Sequence, residues 1–104
     1  MKYELKHYIV ERAIGKYGKD KQLIVAIEEM SELQKEICKA MRNETPSLNY
    51  DQLIEEMADV RLMLYELQVM YKISTEELDV MEDMKLERLY ERILKDEWKA
   101  DKAQ

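Results

Sequence analysis

Glycine and proline occupy only three positions of this 104-residue sequence, Gly15, Gly18 and Pro46. Because these two residues are the usual breaks between secondary-structure elements, a chain with so few of them favours a small number of long helices. The two glycines predict the end of a first helix, and Pro46 predicts a break near the middle. We therefore expect an all-α fold, with a single domain over residues 1–104.

Apolar periodicity and helix-end signals predict four helices, at about residues 3–14, 21–41, 50–71 and 75–98. Asp20 is the expected N-cap of the second helix. Asn49 with Gln52 resembles a capping box for the third helix, and Ser74 with Glu77 forms a better one for the fourth.

The predicted third helix carries two apolar stripes. One contains Leu53, Met57, Val60, Leu64, Leu67 and Tyr71, and the other contains Ile54, Ala58, Leu62, Tyr65 and Val69. A helix with two apolar faces has to be covered on both, either by the other three helices or by a second subunit. We favour the second subunit, which gives a four-helix antiparallel bundle completed by homo-oligomerisation.

The formal net charge of −6 argues against nucleic acid as a partner, because phosphate neutralisation requires clustered cations. A single cysteine, Cys38, allows no internal disulfide and fits a reducing compartment. The N-terminus lacks the apolar segment of a signal peptide, and no run approaches the roughly 20 apolar residues that a membrane span needs. We expect a cytoplasmic protein with no membrane association.

Carboxylates recur in pairs three residues apart, Glu29 with Glu32 on the second helix and Glu56 with Asp59 on the third. At this spacing, the two side chains of a pair project from neighbouring turns on one face. Two such pairs on antiparallel helices can surround one cation, and Mg²⁺ prefers oxygen ligands of this kind. The pattern predicts a Mg²⁺ site in which Mn²⁺ can replace Mg²⁺.

The two pairs differ in their relation to the apolar faces. On a helical wheel, Glu56 falls inside an apolar arc and Asp59 at its edge; the arc consists of Val60, Met63, Leu67 and Met70. A lone carboxylate is costly there unless a cation or a partner compensates its charge. Glu29 and Glu32 lie beside an apolar stripe instead, so they are equally consistent with a solvated flank that pairs with Lys35 and Lys39.

The remaining candidates are weaker. A ferritin-like di-iron site needs Glu-x-x-His pairs, whereas the only histidine, His7, lies on the first helix without such a partner. One face of the fourth helix carries Lys85, Arg88 and Arg92, which can bind triphosphate oxygens. Alternatively, these cations pair on a solvated helix with Glu82, Glu87 and Glu91.

The segment from Tyr17 to Arg42 resembles the MazG-like nucleoside triphosphate pyrophosphohydrolases. Their pattern is Glu-Glu-x-x-Glu on one helix followed by Glu-x-x-Asp on the next. Here the two elements are Glu28-Glu29-Met30-Ser31-Glu32 and Glu56-Met57-Ala58-Asp59. Gln22 and Leu33 also match the family's appearance, and the resemblance covers about residues 15–95.

The resemblance implies an all-α NTP pyrophosphatase fold, assembled as a dimer or a dimer of dimers. Its members cleave an NTP or dNTP, in some cases a non-canonical one, to the monophosphate and pyrophosphate. The implied metal ligands are Glu29, Glu32, Glu56 and Asp59. The implied catalytic acids are Glu28, Glu29 and Glu32, with Glu28 in a supporting or water-orienting role.

For the substrate, the resemblance implies contacts from Lys85 on the last helix and from Gln22 on the second. Leu89 stands where many relatives have an asparagine, which leaves Arg88 and Arg92 to share the phosphate contacts. Two other functions stay open, a non-catalytic helical interaction protein and a nucleotide-binding regulator with slow turnover.

Overall fold

The computed structural model describes residues 1–42 and 49–103. Within them the chain forms four helices and no strand, which confirms the all-α prediction; the helices are α1 (Tyr3–Tyr17), α2 (Lys19–Arg42), α3 (Tyr50–Tyr71) and α4 (Thr75–Ala103). The chain divides into two compact units, Met1–Lys72 with α1 to α3, and Ile73–Gln104 with α4. The break predicted at Pro46 lies outside the described residues.

The junction between α1 and α2 is a single residue, Gly18. Helix α1 continues through Gly15 to Tyr17, because an isolated helical glycine costs only about 1 kcal/mol and this one meets no neighbouring side chain. The chain turns at Gly18, whose φ of 92° lies in the region that favours glycine. The Gly18 N–H donates to the Ile14 carbonyl over 2.9 Å, and the Gly18 carbonyl accepts from the Gln22 N–H over 3.1 Å.

This junction corrects the prediction for the start of the second helix. Helix α2 begins at Lys19, so Asp20 lies inside its first turn rather than at the N-cap. Gly18 takes the N-cap position, since its carbonyl is the first acceptor of the helix. Asp20 retains a favourable place, because an acidic side chain near a helix N-terminus interacts well with the helix dipole.

Helices α2 and α3 form the main packing of the first unit, and α1 packs against both. Asn49, just before α3, contacts Glu36 late in α2, whereas Glu56 and Asp59, further along α3, meet Glu29 near the middle of α2. The two helices therefore run antiparallel. The core between the three helices is small; its buried apolar side chains are Val10, Ala26, Met63 and Tyr65.

The start of α3 differs from the predicted capping. Asn49 occupies the N-cap position but makes no capping hydrogen bond with its side chain, which points to α2 instead. At the other end, Lys72 adopts a left-handed conformation with φ 56° and ψ 42°, and its N–H donates to the carbonyls of Gln68 and Val69. This geometry is a common way to satisfy the last carbonyls of a helix.

The capping box predicted for the last helix is present. The Glu77 N–H donates to Ser74 Oγ over 3.0 Å, and the Ser74 N–H donates to Glu77 Oε2 over 2.8 Å. Helix α4 continues to Ala103, beyond the predicted end near residue 98. None of the described helices combines the length and the apolar character that a membrane crossing requires.

Part of the apolar surface of the first unit stays uncovered. Ile54, Met57 and Leu64 on α3 are 47%, 55% and 47% exposed. With their neighbours they line an open groove of about 470 Å³ between α2 and α3; the lining residues are Leu33, Ile54, Met57, Ala58, Val60, Arg61 and Leu64. Both apolar stripes of α3 contribute to this groove.

Candidate metal centre

Three carboxylates converge at the middle of the α2–α3 pair. Glu29 on α2 and Glu56 and Asp59 on α3 each place one oxygen so that all three lie within 4.8 Å of one another. The spacing of Glu56 and Asp59 sets their side chains on neighbouring turns of α3. The antiparallel packing of α2 brings Glu29 opposite them. Three oxygens at such separations form a ligand set suited to a hard divalent cation.

Burial and mutual repulsion raise the pKa of two of these acids. For Glu29 the largest cause of the raised pKa is burial. The charge of Asp59 and a hydrogen bond with it come next, followed by the charge of Glu56 and a hydrogen bond with it. For Glu56 burial is again the largest cause, followed by the charges of Asp59, Glu32 and Glu36. Both shifts mean that the folded protein disfavours the ionised forms of these two carboxyl groups.

One oxygen of Glu56 is the most informative atom of the cluster. Glu56 Oε2 is shielded from solvent and has no hydrogen-bond partner among the described residues. A shielded carboxylate oxygen normally has a partner, and without one its charged form is costly. A bound cation would compensate this charge, so the atom fits the chemistry of a metal ligand.

Glu32, the fourth predicted ligand, lies outside this close cluster. It is exposed on α2, one turn beyond Glu29, yet it is near enough for its charge to contribute to the raised pKa of Glu56. Glu28 is exposed as well. The structure thus brings together Glu29, Glu56 and Asp59, with Glu32 at the side. The roles of all these acids in binding and catalysis stay predictions.

A hydrogen-bonded pair that the sequence did not reveal lies further along the same helices. Glu36 and Asn49 are each only 6% exposed. Asn49 Nδ2 donates to the Glu36 main-chain carbonyl over 3.0 Å and to Glu36 Oε2 over 3.2 Å. Lys39 Nζ donates to Glu36 Oε1 over 3.1 Å. The Asn49 hydrogen bond, followed by that of Lys39, lowers the pKa of Glu36.

The alternative interpretation of the α2 acids, a solvated flank paired with lysines, applies in part to Glu36. Its pairing with Lys39 is present, although Glu36 is buried rather than solvated. The burial of Glu36 comes from its contact with Asn49, which depends on the packing of α3 against α2.

The predicted substrate ligands are spread over both units. Gln22 is 8% exposed and lies two helical turns before Glu29 on α2. Lys85, Arg88 and Arg92 lie on α4, in the second unit. Their spacing places the three cations on one face of that helix. Their roles in substrate binding stay predictions.

His7 takes part in a separate polar cluster between α1 and α3. Its Nδ1 lies 2.7 Å from Tyr65 Oη, and its Nε2 lies 2.9 Å from Glu11 Oε1. Because an ionised Glu11 can only accept, Nε2 carries a proton, and in the neutral imidazole the Tyr65 hydroxyl donates to Nδ1. Tyr3 stacks on the His7 ring, with centroids 6.1 Å apart. His7 therefore belongs to helix packing and lies outside the carboxylate cluster.

The sequence and the structure were also compared with known proteins. No protein-family model, no curated protein and no solved structure matches this chain.

Proposed function

We propose that this protein is a Mg²⁺-dependent nucleoside triphosphate pyrophosphohydrolase, which converts an NTP or dNTP to the monophosphate and pyrophosphate. The observation that carries the proposal is the convergence of Glu29, Glu56 and Asp59, with Glu56 Oε2 shielded from solvent and without a hydrogen-bond partner among the described residues. The choice of reaction comes from the resemblance of the two acidic motifs to the MazG-like enzymes.

In this proposal Glu29, Glu56 and Asp59 would hold the cation, and Glu32 would complete the set from the exposed side of α2. Bound Mg²⁺ would supply Lewis acidity and neutralise charge on triphosphate oxygens. Glu29 or Glu32 orients or deprotonates the attacking water, and Glu28 supports that acid. The raised pKa of Glu29 favours a role as a general base, because it brings the pKa of this carboxyl group closer to the operating pH.

The substrate is an anion, whereas the protein has a net charge of −6. Cations beyond the metal are therefore needed to hold the phosphates. Lys85 takes this role in the proposal, with Arg88 and Arg92 beside it on α4. Gln22, an uncharged hydrogen-bonding side chain, makes a further contact to the substrate.

The proposal includes a homo-oligomer in the cytoplasm, a dimer or a dimer of dimers, in which residues 1–104 act as one MazG-like domain. Its support is the uncovered apolar groove beside Met57 on α3. A second subunit on this groove would complete a four-helix antiparallel bundle and bury the exposed apolar side chains. Sedimentation equilibrium measures the assembly state, and Ile54→Glu should shift it toward the monomer.

Pyrophosphate release from a panel of canonical and modified nucleotides tests the activity. Glu56→Gln should abolish release, while Glu55→Gln should retain it, because Glu55 is exposed beside Glu56 and loses the same charge. Equal activity of Glu56→Gln and the wild type would contradict the site assignment. Release by neither protein with any nucleotide would contradict the proposed reaction.

The same exposed apolar surface is also what a helical interaction protein would display. Melting temperatures measured with Mg²⁺ and nucleotides separate this alternative from the enzyme, because ligands of the folded state raise the melting temperature. A rise without pyrophosphate release would favour a nucleotide-binding regulator, and no rise would favour the interaction protein.

A further inference from the structure

The side chain of Asn49 links the start of α3 to the last part of α2 by hydrogen bonds. The Asn49 amide nitrogen donates both to the main chain and to the carboxylate of Glu36, over 3.0 and 3.2 Å. Both residues are 6% exposed, so these bonds form where water competes little. Lys39 adds a second contact to the same carboxylate.

The Asn49–Glu36 contact is aligned with the carboxylate cluster along the helix pair. Glu36 follows Glu29 by two helical turns on α2, and Asn49 precedes Glu56 by two turns on α3. Because the helices run antiparallel, both steps lead in the same direction, over roughly 10 Å of helix axis. The contact of Asn49 with Glu36 and the approach of Glu56 to Glu29 therefore belong to one face of the helix pair.

Apolar packing alone specifies the rotation of α3 poorly. Its two apolar stripes include Leu53 and Ile54, which are adjacent in the sequence and hence about 100° apart around the helix. A slip of α3 by one residue would exchange one apolar side for the other, but it would turn Glu56 away from Glu29. A buried polar contact between defined partners resists such a slip, as buried polar residues do in coiled coils.

We propose that Asn49 is a positioning residue: by holding Glu36 it fixes the register and rotation of α3 on α2, and thereby brings Glu56 and Asp59 to Glu29. The effect on metal binding rests on the proposed function, whereas the effect on helix register does not. The contact uses two acceptor oxygens of Glu36, its main-chain carbonyl and its side-chain Oε2.

The test uses Asn49→Ala together with Asn49→Asp, which keeps the shape of the side chain but replaces its donor. Mn²⁺ affinity is measured by electron paramagnetic resonance. Both variants should bind Mn²⁺ more weakly by roughly 10- to 100-fold, the usual effect of removing a residue that orients metal ligands. Glu36→Gln should have a smaller effect, because its amide oxygen still accepts from Asn49.

Val10→Ala is the matched control. It removes buried apolar contact in the same unit, at a position far in sequence from Asn49 and Glu36. It should therefore lower the melting temperature and leave the Mn²⁺ affinity unchanged. An equal loss of affinity in this control would show that general destabilisation, and not positioning by Asn49, explains the result.

A second measurement reads the register without metal. Spin labels are placed on Lys21→Cys and Arg61→Cys in a Cys38→Ser background, since residues 21 and 61 are exposed on α2 and α3. The distance between the labels should shift or broaden in Asn49→Asp and stay unchanged in Glu36→Gln. An unchanged distance in Asn49→Asp overturns the inference, even if the affinity falls. A wild-type protein that binds no Mn²⁺ contradicts the proposed function, and the label distance still decides the role of Asn49.

Discussion

The hydroxyl of Tyr65 on α3 lies 2.7 Å from His7 Nδ1 on α1, and this contact joins two helices far apart in the sequence. Tyr65 is buried, whereas His7 is half-buried. Burial is the largest cause that raises the pKa of Tyr65 to about 12, and Tyr3 and Glu11 add to the effect. The hydroxyl therefore stays protonated and able to donate far above neutral pH.

Tyr65→Phe should lower the free energy of unfolding by about 1 kcal/mol, the usual effect of losing one such hydrogen bond. Urea unfolding measures the change, with the exposed Tyr71→Phe as the control that should leave stability unchanged. The raised pKa also predicts a loss of stability between about pH 10 and 12, because the unfolded tyrosine ionises first. Tyr65→Phe should lose this alkaline dependence; a persistent dependence would place its origin elsewhere.

The carboxylate cluster predicts an unusual dependence of stability on pH. Because the pKa values of Glu29 and Glu56 are raised, their stabilising effect is full below the ordinary value of 4.5 and is lost as the pH rises through their folded-state values. In chelator, the melting temperature should therefore increase as the pH is lowered from neutrality toward 4.5. The pKa values of Glu36 and Glu77 are lowered, so these two residues make stability fall as the pH falls. Their effect begins only below this pH range.

Mg²⁺ should flatten this profile, since the cation compensates the same charges that protons neutralise. Differential scanning calorimetry over pH, with and without Mg²⁺, measures both effects. Glu56→Gln should raise the melting temperature at pH 7 in chelator and abolish the response to Mg²⁺. A response to Mg²⁺ that survives in Glu56→Gln would contradict the role of this residue.

Lys85→Ala tests the phosphate contact that the proposed function assigns to α4. Loss of a charged hydrogen bond of about 1.5–3 kcal/mol should lower kcat/KM by tenfold or more. Lys95→Ala removes the same charge from an exposed position of the same helix and should retain activity. Steady-state kinetics with the preferred nucleotide provide the comparison. Equal losses in both variants would indicate a general effect of net charge instead.

The capping box of α4 offers a test within the second unit. Ser74→Ala should lower stability by about 1 kcal/mol, because it removes the acceptor for an N–H in the first turn. The pKa of Glu77 should rise only in part toward its ordinary value, because the Ser74 N–H, the largest cause that lowers it, is still present in the variant. Circular dichroism and carboxyl NMR measure the two changes. Ser31→Ala, an exposed change within α2, should show neither.

Features with a local cause were predicted well from the sequence. Ser74 and Glu77 form their capping box from residues three positions apart, so no tertiary information was needed. The shielding of one Glu56 oxygen follows similarly from its place in an apolar arc of a single helix. Gly15 was misleading, because the small cost of a helical glycine does not by itself end a helix.

Several other features that depend on contacts between helices were missed. Asn49 was interpreted as half of a capping box with Gln52, but its amide binds Glu36 on another helix. That choice depends on how α3 packs against α2, which periodicity does not determine. The burial of Glu36 follows from the same packing, as does the part of His7 in joining α1 to α3.

Gly18 shows how a residue can matter through its backbone conformation rather than through side-chain contacts. A β-carbon at this position would meet no atom within 4 Å, yet the φ of 92° strains every L side chain. An invariant glycine here, in an alignment of related sequences, would record the geometry of the α1–α2 corner rather than a ligand. Mutational scanning would find this position intolerant although its surroundings are open space, so intolerance here is no sign of an active site.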